Sequence, residues 1–214
     1  MSGTADRPRP RHFGLIRSFA LPDFITLSNA ACGTAAIFLC LNYLEAGHYD
    51  PFIKGAFLLL PIALVFDVAD GLVARGRRRS SPFGADLDSL ADVVSFGVAP
   101  AVLGFTLGLR GLWDAIVLCA FVCCGVSRLA RFNVTAEALA ADGGGKVKYY
   151  EGTPIPSSLL IVLVLAIMWG QGAVGDGLWL GKMKIGPGYF HPFVLLYAAS
   201  GSAMMSGRLR IPKP

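Results

Sequence analysis

Runs of about twenty predominantly apolar residues recur along this chain, and that is the length an α-helix needs to cross the ~30 Å hydrocarbon core of a bilayer. Six can be laid down, at roughly residues 22–44, 52–75, 87–109, 112–133, 155–174 and 189–206. Between them stand turn and linker sequences: EAGHYDP, GRRRSSPFG, LRG, ADGGGKVKYYEGTP and GQGAVGDG. Only 15% of the 214 residues are charged, against about 25% in a soluble domain. No polar stretch is long enough to bury a core of its own. The expected class is therefore an all-α integral membrane protein. Its single domain covers residues 22–206 with six transmembrane helices, between an arm at 1–21 and a tail at 207–214.

The first twenty residues, MSGTADRPRPRHFGLIRSFA, are basic and broken by proline. They lack the compact apolar core and small-residue cleavage site of a signal peptide, and HFGLIRSFA is expected as a juxtamembrane amphipathic segment on the membrane surface. Fifteen of the nineteen basic residues fall on one side of the six-run layout: in the arm, in the loop after the second run, in the segment after the fourth, and in the tail. Lys54, Arg110, Lys182 and Lys184 fall on the other. The positive-inside rule then puts both termini in the cytosol and the protein in the cell membrane. A formal net charge of +5 suits anionic lipid headgroups, whereas nucleic-acid binding would need a basic face in water that the sequence does not offer. Cys32, Cys40, Cys119, Cys123 and Cys124 lie inside apolar runs without CxxC spacing, which predicts buried, inert thiols rather than disulfides.

One stretch departs from this pattern. DVADGLVARGRRRSSPFGADLDSLAD, residues 67–92, holds five carboxylates and four arginines. Asp67 and Asp70 are spaced i,i+3 at the end of the second run; Asp88 and Asp92 are spaced i,i+4 at the start of the third. Each pair occupies one helix face, and the short loop makes the two helices antiparallel neighbours, so four carboxylates converge. Carboxylates inside membrane segments are costly and usually functional, and four crowded anions repel unless cations intervene. Oxygen ligands without His or Cys favour two Mg²⁺ or Mn²⁺ ions. Gly71 and Ala74 on the same part of the second helix leave room for a flat group, and Arg75 can meet a phosphate. Asp86 reads as a loop charge or a supporting group.

As a pattern the stretch is D-x2-D-G-x2-A-R-x8-G-x3-D-x3-D, filled by Asp67, Asp70, Gly71, Ala74, Arg75, Gly84, Asp88 and Asp92. This resembles the signature of the CDP-alcohol phosphatidyltransferases. The resemblance implies that Asp67, Asp70 and Asp88 bind two divalent metals with Asp92 contributing to the second. It implies that Asp70, Gly71, Ala74 and Arg75 hold the cytidine diphosphate, and that Gly84 permits the turn into the third span. Asp92 would be the general base for the acceptor hydroxyl, and the chain would be a homodimer. Displacement at phosphorus needs just these things: charge neutralisation on the leaving diphosphate and a base for the incoming alcohol.

Four further segments are similar to the phosphatidylserine synthase branch of that family: PDFITLSNAACG (22–33), VVSFGVAPA (93–101), SRLARFNV (127–134) and EGTPIPSS (151–158). They imply CDP-diacylglycerol and L-serine as substrates. Serine brings a carboxylate, and Arg128 and Arg131, spaced i,i+3, offer planar forks for it or for a lipid phosphate. Asn29, Thr26 and Ser95 are further polar candidates, Ser95 standing one turn after Asp92. His191 is expected at the opposite interface. The rival readings are a sister enzyme taking glycerol phosphate, inositol phosphate or choline, an isoprenoid-ether CDP-lipid as donor, and, from another class, a divalent-cation transporter.

Overall fold

Inside an apolar surrounding a backbone must satisfy its own polar groups, so an apolar run folds as a helix. The computed structural model describes residues 21–76, 82–141, 149–206 and 210–212; the expected N-terminal surface segment and the Arg77–Arg79 run lie outside the described residues. α1 is Leu21–Glu45 and α2 is Asp50–Gly76. α3 (Pro82–Asp92), a π-helical stretch (Val93–Val98) and α4 (Ala99–Leu107) follow one another without a break, as a single rod. α5 is Leu112–Ala141. α6 (Leu159–Gly170) and α7 (Leu195–Met205) are each led in by a 3₁₀ turn, at Ile155–Ser158 and Pro192–Val194.

The fold is thus nearly all-α, with two short exceptions that the sequence does not announce. β1 (Tyr149–Glu151) pairs antiparallel with β4 (Arg210–Pro212), and β2 (Met183–Ile185) with β3 (Gly188–Phe190). Among the described residues four stretches are long and apolar enough to cross a bilayer: Pro22–Glu45, Asp50–Val73, Phe83–Leu107 and Leu112–Thr135. Ile155–Gly170 and Pro192–Met205 are apolar but shorter; at 1.5 Å per residue they run roughly 24 and 21 Å, less than the ~30 Å core. The fifth run was expected to reach 174, but the helix stops at Gly170. Gly172 takes φ +73° and the Ala173 N–H returns to the Met168 carbonyl at 2.9 Å, a Schellman-type cap. The sixth starts late because β3 occupies 188–190 and Pro192 fixes the first helical turn.

Burial shows which helix is central. Within an 18-residue apolar window of the Phe83–Leu107 stretch 67% is buried, against 22–28% for the corresponding windows of the other three long ones. The α3–α4 rod is therefore the axis, and α1, α2 and α5 turn much of their apolar surface outward, with Phe38, Leu58, Val65 and Ile116 exposed. Cys119 and Cys123 belong to this outward surface of α5 and are exposed, not buried as expected; Cys40 is buried in the core. The π-helical stretch precedes Pro100, which has no N–H to give to the Phe96 carbonyl and whose ring would crowd it, so a widened turn relieves both. Tyr197 of α7 donates to the Pro100 carbonyl at 2.7 Å and meets Phe121 of α5 edge-on, joining three helices at that point.

α1 packs tightly against the rod at Gly33. A Cβ there would collide with Ser95 Oγ and lie 2.7 Å from Ser95 Cα. Gly33→Val should therefore lower stability by about 2 kcal/mol, as overpacking of a filled contact does, read as a reduced Tm of the purified protein in detergent; an unchanged Tm would mean that this contact yields freely.

Candidate active site

The site is assembled where α1, α2 and α3 meet. Asp67 and Asp70 reach it from α2, Asp88 and Asp92 from α3. Asp67, Asp70 and Asp88 each present a carboxylate oxygen, and the three lie within 4.8 Å of one another. Asp70 is buried and the other two half-buried. Asp92, also buried, stands outside this triad but within hydrogen-bond reach of Asp67. The convergence expected from the spacing is present. Among the described residues, Asp176 pairs with Lys182 and Asp114 is hydrogen-bonded to His191, and neither contact involves these four carboxylates.

α1 supplies the donors. Thr26 Oγ1 donates to Asp70 Oδ2 at 2.5 Å, and Asn29 Nδ2 donates to Asp92 Oδ1 at 3.4 Å. Ser95 Oγ in turn donates to the Asn29 carbonyl at 2.9 Å. Thr26, Asn29 and Gly33 recur at spacings of three and four, so one face of α1 carries all three toward α2 and the rod. Two of the polar candidates thus hold the carboxylates directly. Ser95 does not touch Asp92; it fixes the backbone of the residue that does.

Asp88 Oδ1 is buried and has no hydrogen-bond partner among the described residues. A buried carboxylate oxygen left without a donor, beside two further carboxylates, fits a hard cation of the Mg²⁺ or Mn²⁺ kind. Beside the triad, a Cβ placed on Gly71 would meet nothing within 4 Å among the described residues. Ala74 and Arg75 belong to the last turns of α2, and their side chains lie outside the described ones. Gly84 is not in a turn before the third helix, as expected; it sits inside the first turns of α3, which begins at Pro82.

Sequence reading did not find Asn133. Its Nδ2 donates to Asp86 Oδ1 at 3.2 Å and to Ser89 Oγ at 3.0 Å, tying α5 to α3. Asp86 is thereby a helical residue bonded across an interface rather than a loop charge. Asn133 falls within SRLARFNV, but nothing in a linear pattern names a partner 44 or 47 positions away. The same link brings the end of α5, with half-buried Arg128 and exposed Arg131, alongside α3. His191 is buried at the other end of the bundle, against Asp114, and so is no surface residue.

A model of the CDP-alcohol phosphatidyltransferase family matches residues 19–200. The chain is 42% identical over 207 residues to the CDP-diacylglycerol–serine O-phosphatidyltransferase of Saccharomyces cerevisiae, covering 95% of this chain and 74% of that protein. It is 32% identical over 151 residues to the Bacillus subtilis protein of the same name, covering 70% and 76%. To the archaetidylserine synthase of Methanothermobacter thermautotrophicus it is 38% identical over 151 residues, covering 69% of this chain and 58% of that one.

If the triad is a cation site, Asp88→Asn should weaken Mn²⁺ binding by more than about tenfold, and Thr26→Val, which frees Asp70, by about tenfold. Electron paramagnetic resonance of free Mn²⁺ over the purified protein measures both, with circular dichroism as the control for folding. Equal Mn²⁺ binding by Asp88→Asn and the parent would exclude the triad.

Proposed function

Because the chain belongs to the CDP-alcohol phosphatidyltransferase family, we propose that it transfers the phosphatidyl group of CDP-diacylglycerol to the hydroxyl of L-serine, giving phosphatidylserine and CMP. The observation that carries this reading is the 42% identity, over 95% of the chain, to a relative named for that reaction. The carboxylate triad supports it independently, as chemistry at a diphosphate needs local positive charge.

In this reading Asp67, Asp70 and Asp88 hold two divalent ions with Asp92 at their edge. Bound there, such ions would neutralise the diphosphate and make CMP a better leaving group. The space beside Gly71 takes the cytidine diphosphate, with Ala74 and Arg75 about one turn further along α2 and Gly84 in the first turns of α3. Asp92 accepts the proton of the serine hydroxyl, and Asn29 holds its carboxylate in position. The hydroxyl oxygen forms the new bond to phosphorus. The phosphorus–oxygen bond to CMP breaks, and its electron pair leaves with CMP. Direct displacement fits a motif whose only nucleophiles are the aspartates themselves. Arg128 or Arg131 takes the serine carboxylate or the lipid phosphate.

All six helices cross the membrane in this reading, the two short ones by local thinning of the bilayer. The basic bias places the carboxylate end and both termini in the cytosol, where serine is dissolved, and the working unit is a homodimer. A second donor is favoured by a specific observation: the archaetidylserine synthase relative keeps serine in its name and changes the lipid. An ether-linked CDP-lipid is therefore the alternative substrate.

Purified protein should release CMP from CDP-diacylglycerol when serine and Mg²⁺ or Mn²⁺ are present, and not with glycerol phosphate, inositol phosphate or choline in place of serine. CMP release with another alcohol alone would reassign the acceptor. Asp92→Asn should lower kcat by roughly 10²-fold or more, the usual share of a general base; near-normal turnover would remove it from that role. Arg131→Ala should raise the serine KM more than about tenfold, the loss of one charge-assisted hydrogen bond. Unchanged KM in both Arg128→Ala and Arg131→Ala would remove these arginines from the serine site.

A further inference from the structure

At the end of the bundle away from the carboxylates lies a second polar site. A cavity of about 430 Å³ opens between the α1–α2 turn, the α4–α5 turn and the α6–α7 connection, with Tyr43, Arg110, Asp176, Lys182, Tyr189 and His191 in its lining. Tyr43 is 17 residues beyond Thr26 on α1, so at 1.5 Å per residue the cavity is roughly 25 Å from the carboxylate triad.

Its walls are fixed by buried bonds. Asp114, fully buried, accepts from the Gly111 N–H at 2.9 Å, from the His191 N–H at 2.8 Å and from His191 Nδ1 at 2.5 Å. A carboxylate only accepts, so Nδ1 carries the proton and Nε2 keeps the remaining capacity of the ring. His191 is 4% exposed and Nε2 has no partner. The α4–α5 turn meets the α6–α7 connection backbone to backbone: Gly108 has φ +139°, and a Cβ there would lie 2.8 Å from Gly175 N and Cα.

What the cavity offers is mostly donors. Arg110 gives Nε to the Phe105 carbonyl at 3.2 Å and Nη2 to the Thr106 carbonyl at 3.0 Å, which fixes the guanidinium and leaves Nη1. Lys182 Nζ meets Asp176 Oδ1 at 2.7 Å and has two further protons to give. Asp114 stands behind the wall and is not part of the lining; of the charged side chains that do line the cavity, Asp176 is matched by Lys182, and the charge left over is that of Arg110. A cavity with a fixed cation and surplus donors takes an oxyanion.

The surroundings select its source. Trp179, Leu180, Met183, Ile185 and Tyr189, all on the α6–α7 connection, are exposed. Trp113 Nε1 donates to the Ile185 carbonyl at 2.8 Å and pins the β2–β3 hairpin to α5. An exposed aromatic and apolar connection at the end of membrane helices sits among lipid headgroups, where phosphate is the abundant oxyanion. Directly after His191, Pro192 and Phe193 line an apolar groove of about 700 Å³ together with Val164, Trp179 and Leu195, next in sequence to the polar cavity and suited to an acyl chain.

We propose that this cavity binds the phosphate of an anionic phospholipid in the leaflet opposite the carboxylates, as a site separate from the catalytic one. The inference rests on the chain spanning a membrane. The test is the thermal unfolding of the full chain in detergent, titrated with dioctanoyl phosphatidic acid or with inorganic phosphate. The lipid should stabilise the parent and Asp88→Asn saturably and equally. Lys182→Gln and Arg110→Gln, both exposed positions, should each raise the half-saturating lipid concentration by about tenfold, and His191→Gln should act in the same direction. Absence of stabilisation, or a midpoint unmoved in both Lys182→Gln and Arg110→Gln, overturns the site. A shift lost in Asp88→Asn would place the lipid among the carboxylates instead, and inorganic phosphate matching the lipid's midpoint would overturn the lipid as its source.

Discussion

Three carboxylate oxygens within 4.8 Å of one another, at the junction of three largely apolar helices, set the terms for the rest of this protein. At that separation two unit negative charges repel by roughly 3.5 kcal/mol even at an effective dielectric of about 20. A hydrogen bond to a charged group returns about 1.5–3 kcal/mol, and α1 brings one to Asp70 and one to Asp92. Three mutual repulsions outweigh two such bonds. The balance has to come from protons on these carboxylates or from positive charge beside them, and Asp88 Oδ1 lies buried with no donor aimed at it among the described residues.

Holding such a cluster requires a stiff frame, and the α3–α4 rod provides it. It is the most buried of the long helices, and its π-helical stretch starts at the residue after Asp92. The widened turn carries Ser95 against the α1 backbone at Gly33. α1 is thereby locked to the rod at the same level at which Asn29 reaches Asp92. The carboxylates stand on packed helices, tied to α1 by hydrogen bonds, and groups built on helices are held more precisely than groups on loops.

The molecule is polar at two ends and apolar between them. One end gathers the carboxylates and the end of α5; the other gathers Asp114, His191, Arg110 and Lys182. Along the middle, Leu60, Leu103 and Leu165 are fully buried and the outward surface is apolar. A bilayer would suit this distribution, with the charged ends at its two surfaces and the apolar belt in its core. The two ends differ in kind: one is an excess of acceptors that calls for cations, the other a surplus of donors around a saturated carboxylate.

The helices, their order and the facing of Asp67 and Asp70 toward Asp88 could be read from the chain, because period and length act within one segment and a short loop forces neighbours to be antiparallel. The ends of the last two helices could not. They depend on Gly172 adopting a left-handed conformation and on the β2–β3 hairpin taking up the residues ahead of α7. The pairing of Asn133 with Asp86, of Thr26 with Asp70 and of His191 with Asp114 joins residues 44 to 77 positions apart. Sequence by itself determined which groups lie on one face of one helix, since that follows from 3.6 residues per turn. Tertiary structure alone decided which faces meet, and so which polar atoms are satisfied by protein and which are left for a ligand, because buried donors and acceptors find their partners across helices that no local periodicity relates.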